Sequence, residues 1–171
     1  GKNFLKRFSY FLYCFAVWDI FYYVALKLMV DWPPSLLTWD LLFLIPVAWV
    51  GPVLAPVICS LTMVLFAATV IGLEERGCHV RIKLTEWGLM LVGTLIIFCM
   101  FIWDYSRMII QGGFLSDFWG LAGNEEFLQI SLHDQPASFN WFLFASGIIL
   151  ILSALLLIFL RARSSQMLSK F

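Results

Sequence analysis

The chain has 171 residues, of which 62% are apolar, 18% aromatic and 13% charged, and its basic and acidic side chains balance to a formal charge of zero. A soluble domain carries about 45–50% apolar and about 25% charged residues, so this composition belongs to a helical membrane protein. A transmembrane barrel would alternate apolar and polar positions, whereas the long runs here are apolar on every face. A nucleic-acid partner would need a basic patch on a solvated domain, and the sequence offers neither.

The predicted elements are four spans, over residues 8–30, 52–73, 84–103 and 139–160. Each is about 20 residues or longer, which matches a hydrocarbon core of roughly 30 Å. One transmembrane domain, 1–171, accounts for the whole sequence, with an outer loop over 105–138. The first run follows Lys6 and Arg7 like a signal peptide, but it is too long, Asp19 and Lys27 interrupt it, and no small-residue cleavage site follows. Lys2, Lys6, Arg7, Arg76, Arg81, Lys83, Arg161, Arg163 and Lys170 then share one face, leaving Lys27 and Arg107 opposite. The positive-inside rule makes the basic face cytoplasmic, with both termini on it, and the expected location is a bacterial inner (plasma) membrane.

After Trp32-Pro33-Pro34, residues 36–73 are apolar almost throughout. As one helix they would extend about 55 Å, too long for a single crossing. Pro46, Gly51, Pro52 and Pro56 supply the break. Pro52 is expected at a first helical position, and Pro56 is expected to bend the crossing one turn later. Ser35 or Thr38 is expected to cap a short helix over about 41–45, lying in the interface or re-entering the membrane. The fold class is therefore all-α integral membrane, with four transmembrane helices and this additional short helix before the second. Backbone broken at membrane depth must be buried in protein, so the segment is expected to pack against something.

The short loop 74–83 makes spans two and three expected antiparallel neighbours, and Gly77 suits a left-handed helix cap. In the outer loop a short amphipathic helix is expected around 125–132, and Pro136 and Ser138 mark the approach to span four. Small residues let helices approach in lipid. Ala68 with Gly72, Ser60 with Ala67, and Ser146/Gly147 with Ser153/Ala154 are the expected contact faces.

Asp19 is the sharpest candidate for a functional role. A carboxylate at the centre of a span costs roughly 2.5–3.5 kcal/mol on insertion scales. Tyr23 and Lys27 continue the same helical face at i+4 and i+8. Lys27 lies about 12 Å along the axis from Asp19, so its expected partners are Asp31, Asp40 or Asp104. Trp-Asp recurs as Trp18-Asp19, Trp39-Asp40 and Trp103-Asp104. Asp40, Asp104, Arg107 and Lys27 form either a charged cluster under the outer loop or the carboxylate edge of an interfacial aromatic belt.

No catalytic or metal site is legible. His79 and His133 both fall in loops, so axial haem ligation inside the bundle is not expected. Cys14, Cys59, Cys78 and Cys99 form no C-x-x-C pair and read as packing residues. There is no nucleotide loop, nucleophile elbow or zinc motif. The expected function is a non-catalytic accessory subunit of a larger membrane complex, contacting other integral membrane subunits and the lipid bilayer. Bound lipid, quinone or carotenoid would suit its apolar surface. The alternative is a small oligomeric transporter or channel component using Asp19 as an ion or proton site. An enzyme acting on a lipid-soluble substrate comes third, since no constellation supports it.

Overall fold

The computed structural model describes residues 4–43, 49–78, 80–111 and 139–168. Among them are four helices, α1 (Phe4–Val30), α2 (Leu54–Glu75), α3 (Leu84–Gln111) and α4 (Trp141–Leu168), with strands β1 (Trp39–Phe43) and β2 (Trp49–Pro52) before α2. All four helices are long and apolar enough to cross a membrane. Helix α3 continues past the expected boundary at Trp103 to Gln111, and α4 continues past residue 160 to Leu168. The rest of the outer loop, including the helix expected around 125–132, lies outside the described residues, as does the approach to span four at Pro136 and Ser138. Asn140 caps α4, its side-chain oxygen accepting the Leu143 N–H at 3.1 Å.

The short helix expected over about 41–45 is not what forms at its described positions, so a two-stranded ribbon joins an otherwise helical fold. Leu41–Phe43 belong to β1, which pairs antiparallel with β2, Asp40 opposite Gly51 and Leu41 opposite Val50, with an irregularity before Phe43. Aromatic and β-branched residues such as Trp39, Trp49 and Val50 suit a pleated ribbon. Pro46 lies outside the described residues. Ser35 and Thr38 close a turn instead of capping a helix. The Ser35 hydroxyl accepts the Leu37 N–H at 3.2 Å, and the Thr38 hydroxyl accepts the Ser35 N–H at 3.3 Å.

Helix α2 begins at Leu54, so Pro52 ends a strand and is not the first helical residue. Pro56 falls inside the first turn, where a missing N–H breaks no intrahelical bond and a bend is not required. The free donors at this helix start are met by the preceding segment. The Leu54 N–H reaches the Leu36 carbonyl at 2.7 Å, and the Val53 N–H reaches Thr38 at 3.0 Å. The far end closes as expected: Gly77 has φ of +80°, and the Gly77 and Cys78 N–H groups return to the Glu74 and Leu73 carbonyls, both at 3.0 Å.

Among the described residues the helices form two pairs. Helix α1 lies on α2, α3 lies on α4, and α2 bridges the pairs by touching α4 and β2, which itself rests on α3. Helices α2 and α3 are antiparallel neighbours as expected, Ala55 sharing a cluster with Ile97 and Phe101, and Phe66 with Met90, while the tight backbone approach of α3 is to α4. A Cβ on Gly93 would sit 2.6 Å from the Gly147 carbonyl oxygen, and one on Gly147 would sit 2.8 Å from Ile97. Gly147 and Ala154 are contact residues as expected, as are Ser60 and Ala67, whereas Ala68 is exposed and nothing lies within 4 Å of a Cβ on Gly72. Gly93 was not among the expected contacts.

One buried cluster, Phe66, Val70 and Leu155, gathers Leu5 and Ile82 around it. It sets the start of α1, the end of α2, the start of α3 and the later part of α4 at one end of the bundle. That end carries Lys6, Arg7, Arg76, Arg81, Lys83, Arg161 and Arg163. The second cluster, Ala55, Ile97, Phe101, Phe144 and Ile148, lies under the β-hairpin, with Leu42 and Trp49 packed on it.

Gly147→Ala is expected to lower stability by about 1–3 kcal/mol through overpacking, read as unfolding in detergent. Gly72→Ala is expected to be neutral or slightly stabilising. Equal effects at the two sites would contradict a Gly93–Gly147 crossing.

Candidate functional site

The polar face of α1 meets two different elements. Asp19 accepts a hydrogen bond from the Ser60 hydroxyl of α2 at 2.7 Å, and Ser60 is 1% exposed. One turn later the Tyr23 hydroxyl donates to Asp40 of β1 at 2.9 Å. A carboxylate in an apolar helix needs such a donor, because hydrocarbon offers none. The two contacts hold α1 against α2 and against the hairpin at once.

Lys27 leaves this face. Its ammonium pairs with Asp31 at 2.7 Å and donates to the Pro33 carbonyl at 3.2 Å. Asp31 was one of its expected partners. The hydrogen bond and charge of Lys27 hold the Asp31 carboxyl below the usual carboxylate range. That side chain is 90% exposed, so the pair finishes the helix end and contributes little to stability.

The hairpin approaches α3 through Gly51, where a Cβ would lie 2.9 Å from the Phe101 ring. Trp49 then stands against Phe98 and Phe101, with ring centroids 5.0 Å and 6.4 Å apart. This arrangement roofs a cavity of about 460 Å³ between α1, α2, α3 and the hairpin. Its polar wall is Asp19, Tyr23, Asp40 and Ser60, with Cys59 and Thr94 beside them. Its aromatic wall includes Trp18, Tyr22, Trp49, Phe98 and Phe101, and Pro56 lies at its edge. Trp18, Tyr22 and Thr94 are exposed, which sets the mouth of the cavity on the side between α1 and α3.

Of the expected candidates, Asp19, Tyr23 and Asp40 come together here. Arg107 does not join them. It lies with Trp103, Ser106 and Gln111 along a shallower pocket on α3, and among the described contacts it meets neither Lys27 nor Asp40. The side chain of Asp104 lies outside the described residues. The expected charged cluster under the outer loop is therefore not assembled by Lys27, Asp40 and Arg107.

Two features escaped the sequence reading. At the basic end, Glu86 is 3% exposed and pairs with Arg161 at 2.8 Å. The same Glu86 oxygen accepts the Lys83 N–H at 2.7 Å, and Arg161 also donates to the Arg81 carbonyl. This ties the start of α3 to the end of α4. A Glu at the third helical position was its local signal. The second feature is a ladder of rings on α1. Phe4, Phe8, Phe11, Phe15, Trp18 and Tyr22 follow one another with centroid separations of 5.8–6.4 Å. Alternating steps of four and three residues are a 3.5-residue period, legible in the sequence.

Tyr23→Phe and Asp40→Asn, singly and together, are expected to give a coupling of about 0.5–3 kcal/mol in a double-mutant unfolding cycle. Additive losses would show that the two groups do not act on each other.

Among the described residues no group of three or more His, Cys, Asp and Glu is placed to hold a metal ion. No family model, no curated protein and no solved structure matches the chain.

Proposed function

We propose that the chain is an integral membrane protein serving as a non-catalytic accessory subunit, docking through the aromatic ladder of α1 onto a transmembrane helix of another subunit. In this reading the basic end faces the cytoplasm and carries both termini, and the membrane is the bacterial inner membrane. Seven basic side chains gathered at one end of the bundle support that orientation.

The observation that carries the docking reading is how little of α1 its own chain covers. Only Ser9, Ala16 and Tyr23 of its 27 residues are buried. In its most apolar window 11% of residues are buried, against 28% in each of the other three helices. On the uncovered side Phe4, Phe11, Trp18 and Tyr22 are 74%, 62%, 57% and 46% exposed. Helices in lipid associate by packing and not by the hydrophobic effect. A seam of period 3.5 is the geometry of left-handed helix pairs crossing at about +20°, and aromatic rings add edge and face contacts.

The cavity favours a second reading, a transporter or channel component, because Asp19 lines it and buried acids mark ion paths. Asp19→Asn separates the two, since flux would collapse under the second reading and assembly with partners would persist under the first.

Photo-crosslinking in native membranes tests the docking face. A benzoylphenylalanine at Phe11 or Trp18 is expected to capture another membrane polypeptide several-fold more efficiently than one at Phe142, which is exposed on α4. Equal capture from Phe142, or capture of this chain alone, would overturn the proposal.

A further inference from the structure

The cavity between α1, α2, α3 and the hairpin is not needed by the docking reading, and its chemistry is one-sided. We infer that it binds a lipophilic cation, an apolar body carrying an amine or onium centre. Trp18 and Tyr22 belong both to the α1 ladder and to the cavity lining, so a partner helix seated along the whole ladder would cover the entrance, and binding is read on the chain by itself.

Three observations carry it. At about 460 Å³ the cavity falls within the roughly 300–1,000 Å³ of small-molecule sites. Its charged side chains are both acidic: Asp19 and Asp40 line it, and no Lys, Arg or His is among the lining residues described. Lys27, the cation nearest along α1, is held by Asp31 and the Pro33 carbonyl. Asp19 receives one hydrogen bond, from Ser60 to its Oδ2 oxygen, so an ionised Asp19 is not neutralised by any described neighbour. Trp18, Tyr22, Trp49 and Phe98 line the same cavity, and aromatic rings of this kind attract cations.

An anion would meet a carboxylate and ring faces, both repulsive. A purely apolar molecule would leave the Asp19 charge uncompensated in a low-dielectric site. A cation answers both walls. The mouth is framed by exposed Trp18, Tyr22 and Thr94, so a molecule dissolved in the bilayer reaches the carboxylate sideways, between α1 and α3.

The test is equilibrium binding of radiolabelled tetraphenylphosphonium to the purified full chain in detergent, with radiolabelled tetraphenylborate, of the same shape and opposite charge, measured in a separate titration. Saturable phosphonium binding at one site per chain is expected, weakened at least tenfold by Asp19→Asn and largely retained in Asp19→Glu, with no saturable binding of the borate. Thr94→Trp is expected to obstruct the mouth and abolish binding with the unfolding profile unchanged, which keeps the test sound should Asp19→Asn fold poorly. Phosphonium binding no greater than to empty micelles, binding indifferent to Asp19→Asn and Thr94→Trp, or equal saturable binding of the borate would each overturn the inference.

Discussion

A carboxylate on a helix apolar enough to cross a membrane would find nothing to bond to in lipid, and Asp19 is answered from within the protein. Ser60 on α2 meets Asp19, and Tyr23, one turn along, reaches Asp40 on the hairpin. Few residues of α1 are buried, and these polar contacts act beside its apolar packing along α2, Leu5 and Leu12 among it. A helix held along one narrow line leaves its remaining circumference for something else. On that circumference the sequence has set a regular ladder of rings.

The other half of the molecule is held differently. Helices α3 and α4 meet where two glycines let the backbones touch, and a half-buried ion pair, Glu86 with Arg161, fastens their ends. Such a pair is costly to desolvate but strongly destabilising to break, so it favours one alignment of α3 and α4. Helix α2 bridges the two pairs, and the hairpin spans them at the opposite end from the ion pair. A cavity remains where the backbone of α3 approaches α4 more closely than α2, α2 meeting α3 through side chains such as Ala55 against Ile97 and Phe101. The exposed ladder of α1 and the cavity thus share a cause, the tight pairing of helices two by two.

Hydropathy made the four helices legible, since a run of about 20 apolar residues has few other uses. The gathering of basic residues at one end followed from alternating the helices, and Gly77 was readable because only a left-handed cap requires it there. Asp19, Tyr23 and Asp40 stood out as polar residues in apolar surroundings, and they do converge. The hairpin was not legible, because a short apolar run fits strand and helix equally well; the pairing of Asp40 with Gly51 is a tertiary outcome. The short loop before α3 makes α2 and α3 readable as antiparallel neighbours, whereas the tighter approach of α3 to α4, Gly93 against Gly147, rests on close packing that loop length does not encode. Glu86 and Arg161 are 75 positions apart, beyond any local pattern. The α1 ladder was in plain sight, but a count of aromatic residues does not reveal their period.

The central claim is that α1 carries a surface made for another membrane subunit. Purification from native membranes in mild detergent, with quantitative mass spectrometry on the isolated fraction, tests it most directly. The expected result is a complex in which other integral membrane polypeptides accompany this chain in fixed stoichiometry, and from which it separates when the α1 ladder is replaced by leucine. A partner-free chain or homo-oligomer, unchanged by that replacement, would contradict it.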